Sequence, residues 1–139
     1  MLYVNASILH ETPSGLGVYT KNVTEFLARL EPALKVFCPM DLERVTVSRI
    51  TPLVKPSYRK LGAMARVAWT QGVLPFRTGN NDTIYHPFHY LSLLSRARQV
   101  MTIHDFIPLH FPKAAPHQYH YYRRVMPLLL KRADRVICD

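Results

Sequence analysis

Two ionisable residues, His104 and Asp105, stand directly after the apolar run of residues 100–103 (VMTI) and before an aromatic, proline-rich segment. A short apolar run of this kind is typical of a strand that is buried on both faces of a parallel sheet. In open α/β sheets, ligands bind beyond the carboxyl ends of the strands. We therefore expect His104 and Asp105 to form half of a substrate site.

A second candidate is the segment of residues 14–17 (SGLG), between the first predicted strand and the first predicted helix. Glycines there let backbone N–H groups approach a ligand, and the helix N-terminus adds partial positive charge. A phosphate or a set of sugar hydroxyls suits such a place, although a plain tight turn explains the glycines equally well. Thr20 replaces the third glycine of a dinucleotide fingerprint, and Cys38 and Pro39 end the second predicted strand, where an acidic partner of the ribose would be expected, so NAD binding is not expected.

Residues 86–89 (HPFH) follow another predicted strand. If this loop and the His104 loop lie at the same edge of the sheet, His86 and His89 share one cleft with His104. Histidine and aspartate are metal-ligand types, but Pro87 interrupts the His86–His89 pair, which does not have the helical spacing of a metal-binding motif. We expect satisfied loop histidines and no metal. The chain has no G-x-S-x-G elbow and no plausible Cys–His pair, so nucleophilic hydrolysis has little support.

The loops that carry these residues must be positioned by the strands and helices, which alternate along the chain. The first strand falls within residues 2–8, and later strands are predicted at 34–38, 45–50, 83–85, 99–103 and 135–138. Helices are predicted after residue 17, at 55–69 and at 118–132, where Pro127 should kink or split the last one. The first helix has an apolar stripe at helical spacing: Tyr19, Val23, Phe26, Leu27 and Leu30.

This alternation predicts one domain of α/β class, 1–139, built on a doubly wound, mostly parallel sheet. The last predicted strand is not followed by a covering helix, so we expect a Rossmann-like unit that is incomplete at the C-terminus.

The charge is strongly basic, with 18 Lys and Arg against nine acids, a formal net charge of +9 and a pI near 9.9. No acid occurs between Glu43 and Asp82, a stretch that contains these basic residues: Arg44, Arg49, Lys55, Arg59, Lys60, Arg66 and Arg77. Such a field favours nucleic acid, phosphorylated substrates or an acidic lipid surface, and a solvated basic face without a partner is an equal alternative. Two isolated thiols, with no signal peptide or transmembrane stretch, favour a reduced cytoplasmic location.

Four segments together resemble the amino-terminal domain of family 4 glycosyltransferases with the GT-B fold: SGLGVYTKNVTEFLARL, IYHPFHY, VMTIHDFIPLHFP and YYRRVMPLLLKRADRVICD. They occur in the family's order and spacing over nearly the whole chain. The resemblance implies a retaining hexosyltransferase of bacterial glycan biosynthesis, such as lipopolysaccharide or capsule. It also implies a second, donor-binding domain that this sequence lacks, and hence an inactive chain when it is alone.

The resemblance also implies roles for individual residues. His104 would contact the transferred sugar as the catalytic, positioning group. The glycine loop, with Gly15, Leu16 and Gly17, would lie against the acceptor and the donor diphosphate. The remaining expected substrate-binding residues are Tyr19, His86, His89 and Asp105. No cofactor or metal is implied, because the nucleotide sugar is a co-substrate. Val18 departs from the family, in which an arginine often follows the second glycine.

The partners implied are a nucleotide sugar and a glycan or lipid-linked acceptor. Residues 44–77 are expected to contact anionic lipid, peripherally at the inner face of the membrane. One alternative is a non-catalytic remnant or binding module that keeps the cleft. Another is a basic nucleic-acid-binding domain that stacks bases on residues 119–124 (YHYYRR), although the helical spacing of these residues favours ordinary core and surface faces.

Overall fold

Six parallel strands form the single sheet of the computed structural model, which describes residues 1–13, 15–114 and 116–138. The strands are β1 (Leu2–Asn5), β2 (Lys35–Cys38), β3 (Thr46–Arg49), β4 (Thr83–His86), β5 (Arg98–Ile103) and β6 (Arg135–Cys138). Their order in the sheet is β3-β2-β1-β4-β5-β6, and every neighbouring pair is parallel. The prediction of an α/β protein with a doubly wound parallel sheet is confirmed.

The strand order reverses between β1 and β4, because β2 and β3 are added on one side of β1 and the later strands on the other. This arrangement brings the carboxyl ends of β1 and β4 side by side, with Val4 paired to Tyr85. Such a switch point opens a crevice beyond the strand ends, where ligands bind in sheets of this kind.

Successive residues of β1 point to opposite faces of the sheet, and each face is covered by helices. Val4 packs in the cluster that contacts Val23 and Leu27 of α1 (Leu16–Leu30). Tyr3 packs in the other cluster, with Trp69 of α2 (Arg59–Gly72). The sheet is therefore a middle layer between α1 and α2, which places the N-terminus of α1 at the carboxyl end of β1.

The buried side of α1 differs from the predicted apolar stripe. Phe26 and Leu30 are 58% and 67% exposed, whereas Thr20 and Thr24 are fully buried. The Thr24 hydroxyl donates a hydrogen bond of 2.6 Å to the Thr20 carbonyl, which satisfies that buried hydroxyl. The helix therefore packs through its small residues, and two large apolar side chains of the predicted stripe face outward.

Two single turns of 3-10 helix, Pro52–Val54 and Pro56–Tyr58, precede α2, so the helix begins four residues later than predicted. A short helix, α3 (Leu74–Arg77), follows it before β4. The chain then continues through β5 into α4 (Ile107–His110).

The last predicted helix is divided in two, α5 (Pro116–Arg124) and α6 (Met126–Arg132). Pro127 lies in the first turn of α6. Backbone N–H groups in the first turn of a helix have no acceptor within the helix, so the lack of an N–H at proline removes no helical hydrogen bond there. The prediction that this proline splits the helix is confirmed. Tyr122, Met126 and Leu129 are buried against β5 residues Met101 and Ile103.

Candidate functional site

His104 is the first residue after β5, and its ring is contacted from the loop after β4 and from α1. Its Nε2–H donates a 2.8 Å hydrogen bond to the carbonyl oxygen of Pro87, in the loop after β4. The edge of the ring meets Tyr19 of α1, with centroids 4.6 Å apart and the planes at 82°. The Tyr19 hydroxyl lies 3.1 Å from the hydroxyl of Tyr85, which lies 2.8 Å from that of Thr102. The imidazole is therefore held at a defined orientation at the sheet edge.

A cavity of about 280 Å³ lies beside His104, between the N-terminus of α1 and the segment from α4 to α5. We call it the His104 crevice. It brings together four of the sequence-predicted site residues: Leu16, His89, His104 and Asp105. Four further lining residues were not predicted: Ile107, Pro108, Gln118 and Tyr122. The crevice is therefore partly closed by α5, a helix from which no residue was predicted to line this site.

The two glycines of the α1 loop have distinct local roles. Gly15 has φ +48°, a backbone conformation that disfavours other residues, and an added Cβ would meet nothing within 4 Å. A Cβ at Gly17 would lie 2.8 Å from the Cβ of Pro13, so this glycine allows close packing of the loop on the helix. Leu16, between them, lines the His104 crevice, whereas the two glycines are not among its lining residues. Ser14 lies outside the described residues.

Helix α1 begins without a side-chain hydrogen bond to its N-cap turn from any described residue, and its first turn contains no acid. The start of α1 therefore brings its partial positive charge to the side of the crevice that Leu16 lines.

His89 is surrounded by aromatic rings. The centroids of Tyr90, Tyr121 and Tyr122 lie 4.8, 5.6 and 5.3 Å from that of His89. The Tyr121 hydroxyl donates to the His89 carbonyl at 2.9 Å, and the Tyr122 hydroxyl lies 3.3 Å from His89 Nδ1. Burial, with a smaller contribution from the neighbouring His104, lowers the pKa of His89 to about 4. This imidazole is neutral at neutral pH and serves as a fixed wall of the crevice.

These contacts also bear on the nucleic-acid alternative. Tyr121 and Tyr122 pack inward on His89 and are not presented to solvent as a stacking platform. Tyr119 is held by Arg123, whose guanidinium donates to the phenol oxygen at 2.6 Å and lies over the ring. The aromatic residues of α5 are therefore committed to contacts within the chain.

Asp105 lies at the mouth of the crevice and is exposed. Its Oδ1 accepts a 2.9 Å hydrogen bond from the N–H of Ile107, at the start of α4. This local turn fixes the carboxylate one residue from His104 and leaves its second oxygen available to a ligand hydroxyl.

His86 does not reach the crevice, although the sequence suggested a shared cleft. It is fully buried at the end of β4, with Nδ1 3.1 Å from Asn5 Nδ2 and Nε2 3.1 Å from Gln99 Oε1. Burial lowers its pKa to about 3. The side chain joins the two strands at the switch point from within, and its ring nitrogens are engaged by Asn5 and Gln99 rather than turned towards a substrate.

The basic residues of the segment 44–77 include both exposed and buried side chains. Arg59 and Lys60 are exposed, but Arg66 is only 8% exposed. The expectation that residues 44–77 form one surface patch is therefore wrong for Arg66, which lies on an inward face of α2 and donates a hydrogen bond to the carbonyl oxygen of Val54.

Acidic residues line a different cavity, of about 290 Å³, between α1 and the segment that joins β2 to β3. Three of these acids are in ion pairs: Glu11 with Lys55, Glu25 with Lys21, and Asp41 with Arg49. Within the described ranges, no three His, Cys, Asp or Glu side chains are grouped so as to hold a metal ion. We therefore take the His104 crevice as the candidate site.

Comparison of the chain with protein-family models, curated proteins and solved structures gives no match. Among the described helices, none has both the length and the apolar character needed to cross a membrane. The functional interpretation therefore depends on the geometry of the crevice and on the motifs in the sequence.

The crevice combines an oriented imidazole, a neighbouring carboxylate, a helix N-terminus and aromatic walls. Among its described lining residues there is no serine, cysteine or lysine that would act as a nucleophile. Such a site is suited to bind and orient a polyhydroxylated or anionic ligand through hydrogen bonds.

Proposed function

We propose that this chain is the acceptor-side domain of a retaining glycosyltransferase with the GT-B fold, of the family 4 type. The observation that carries the proposal is the crevice that His104, at the carboxyl end of β5, shares with Leu16, at the start of α1. These are the two elements to which the resembling motifs, VMTIHDFIPLHFP and SGLGVYT, assign contacts with sugar and diphosphate.

In this function His104 hydrogen-bonds the sugar in transit and holds it for attack by the acceptor hydroxyl. Asp105 orients an acceptor hydroxyl with its carboxylate. Tyr122 supplies an apolar ring face for the C–H groups of a pyranose, and the N–H groups of the first turn of α1 approach the diphosphate. The donor nucleotide is bound by a separate donor domain, so this chain alone binds acceptor sugars without transferring a sugar to them.

Sugar binding at the crevice tests this function directly. Saturation-transfer NMR with a panel of hexoses and disaccharides is expected to detect binding to the wild-type chain. His104→Ala should weaken that binding at least tenfold, because a hydrogen bond to an ordered ligand is lost. The control is His110→Ala, an exposed histidine of α4 that does not line the His104 crevice.

The proposal fails if no sugar binds, or if His104→Ala and His110→Ala retain equal affinity. A parallel assay with nucleotide sugars is expected to show no turnover by this chain, and turnover without another polypeptide would contradict the assignment to an acceptor half.

A lipid-linked acceptor is favoured by the outer face of α2. Leu61, Met64 and Val67 are 57%, 69% and 43% exposed, and Arg59 and Lys60 are exposed at the start of the same helix. Exposed apolar residues beside basic ones are typical of a helix that lies in the interface of an anionic membrane. We infer that this face rests on anionic lipid and brings the acceptor to the crevice.

Vesicle binding tests the membrane contact. Neutralising both Arg59 and Lys60 with glutamine is expected to weaken binding to anionic vesicles about thirtyfold, at about 1 kcal/mol for each charge near the surface. The matched control removes two exposed charges from α5, with Arg123→Gln and Arg124→Gln. Equal loss of binding in both double variants would reveal only a general attraction of net charge and would refute a lipid contact through α2.

A further inference from the structure

Large apolar side chains lie exposed in the segment that follows His104 and Asp105. Four of the six residues from 106 to 111 are of this kind, with between 38% and 63% of each exposed: Phe106, Ile107, Leu109 and Phe111. Scattered exposed apolar residues are ordinary, whereas a contiguous group of them marks a place where another molecule binds. The segment is therefore a candidate binding surface.

Three of these residues join the segment to the His104 crevice. Ile107 lines the crevice, and its N–H donates to Asp105 Oδ1 at 2.9 Å. The ring of Phe106 meets that of Tyr122, another lining residue, with the centroids 6.3 Å apart and the planes at 85°. The N–H of Phe111 donates to the Ile107 carbonyl at 2.8 Å, so its side chain follows that of Ile107 one turn later on the same side of α4. We call Phe106, Ile107 and Phe111 the α4 apolar surface, which begins beside the Asp105 carboxylate.

The His104 crevice by itself encloses only a small ligand. Its volume of about 280 Å³ lies just below the roughly 300 Å³ at which pockets for whole small ligands begin. Four of its eight described lining residues are apolar or aromatic: Leu16, Ile107, Pro108 and Tyr122. A ligand larger than one sugar therefore extends beyond the crevice, and the exposed Ile107 connects the crevice to the α4 apolar surface.

We propose that the α4 apolar surface binds the aglycone of the acceptor, and that this aglycone is a hydrocarbon chain. The inference rests on the proposed function and names its substrate class: a glycoside with an apolar chain rather than a free sugar. The C–H face of a pyranose stacks on an aromatic ring such as that of Tyr122. Aliphatic side chains such as Ile107 and Leu16 have no ring face, and they gain by covering hydrocarbon and excluding water from it. A chain on the sugar at His104 and Asp105 lies directly against Ile107.

Isoleucine methyl resonances report this binding directly in a ¹H–¹³C correlation spectrum of the wild-type chain. Ile107 is the probe, and Ile137 of β6, which is also exposed but does not line the crevice, is the internal control. Titration with the hexyl β-glycosides of glucose, galactose and mannose, below micelle formation, is expected to shift the δ1 methyl of Ile107 saturably with at least one of them. The Ile137 methyl should stay in place. No saturable shift of Ile107 with any of the three, or an equal shift of Ile137, would overturn the proposal. A shift of Ile107 on dilution of the chain alone would assign the surface to a second copy and would also overturn it.

Chain length separates the aglycone surface from the sugar site. Each methylene that the α4 apolar surface half-buries should tighten binding about twofold, so the hexyl glycoside should bind about thirtyfold more tightly than the methyl glycoside of the same sugar. 1-Hexanol, which has the chain but no sugar, should bind much more weakly than the hexyl glycoside. Equal affinity of the methyl and hexyl glycosides would refute the aglycone site. Equal affinity of 1-hexanol and the hexyl glycoside would reveal only a general apolar patch and would refute it too.

Substitutions at two exposed apolar positions complete the test. Ile107→Thr keeps the β-branched shape but replaces apolar surface by a hydroxyl, and it should reduce the ratio of hexyl to methyl affinity at least about threefold. The control is Leu128→Thr on α6, at an exposed position that does not line the crevice, and it should keep the wild-type ratio. A wild-type ratio in Ile107→Thr would contradict the proposal. Binding of methyl glycosides without any effect of chain length would remove only the aglycone site, whereas the absence of all sugar binding would remove the glycosyltransferase proposal as well, so the two failures are distinct results.

Discussion

Acid should destabilise this protein because two imidazoles must remain neutral in the folded state. Burial lowers the pKa of His86 to about 3 and that of His89 to about 4, below the ordinary value of about 6.5. The unfolded chain therefore binds protons at a higher pH than the folded chain. The stability from these groups is fully present above about pH 6.5 and is lost as the pH falls towards the folded values.

The size of the loss follows from these pKa values. Between pH 8 and pH 5, proton linkage gives about 2 kcal/mol for His86 and up to about 2 kcal/mol for the half-buried His89. Together they approach 4 kcal/mol, a large part of the 5–15 kcal/mol by which a domain of this size is normally stable. Near pH 5 the unfolded chain should bind about two more protons than the folded chain at these two sites.

The hydrogen bonds of His86 give an independent reason for its neutrality. Gln99 Oε1 also accepts the N–H of Ser92 at 2.9 Å, so it is an acceptor and must face a protonated Nε2. Asn5 Oδ1 accepts the N–H of Ser7, which turns the amide nitrogen of Asn5 towards Nδ1. A proton on Nδ1 of His86 would therefore point at the N–H donor of the Asn5 amide, and no hydrogen bond could form between the two donors.

Urea unfolding followed across pH 5 to 8 measures this effect as the slope of the unfolding free energy. His86→Gln should lower stability at pH 8 and reduce the slope near pH 5 by about one proton. His110→Gln, at an exposed position, is the matched control and should leave the slope as it is in the wild type. A wild-type slope in His86→Gln would refute the claim that His86 is buried and neutral.

Three further outcomes are expected. Gly17→Ala should destabilise the chain by about 1–3 kcal/mol, because its Cβ would meet Pro13, whereas Gly72→Ala, with open space, should be neutral or stabilising; thermal unfolding measures both. A thiol reagent at pH 8 should label one cysteine of the native chain and two in urea, since Cys38 is buried with its pKa raised to about 11 and Cys138 is exposed; rapid labelling of both native thiols would contradict this. Ile84→Ala should cost about 3 kcal/mol in urea unfolding, because Ile84 is fully buried in β4, and a cost below about 1 kcal/mol would contradict that packing.

Local patterns in the sequence were sufficient for the order and type of the elements. Apolar β-prone runs coincide with the central strands β2, β4 and β5, because a strand buried on both faces needs apolar residues at consecutive positions. Pro127 divides the last helix as predicted, since proline has no N–H to donate and its effect on the helical hydrogen bonds is local. The position of His104 at a strand end also follows from the sequence, because the apolar run of β5 stops there.

Which helix faces are buried, and which distant residues contact each other, was decided only by the tertiary structure. The stripe that contains Phe26 and Leu30 is apolar, but which arc of α1 meets the sheet depends on how closely the small residues Thr20 and Thr24 allow the helix to approach. The interior position of His86 likewise requires Asn5, which lies 81 residues earlier in the chain.

For this protein, therefore, the sequence by itself determined an α/β fold with His104 at the rim of a parallel sheet. Its composition suggested one basic surface, but folding placed Arg66 inside and left Arg59 outside on the same helix. The physical reason is that charge and hydropathy are properties of single residues, whereas burial belongs to the packed face. A helical turn rotates each residue by about 100°, and only contact with the sheet chooses the face that is buried.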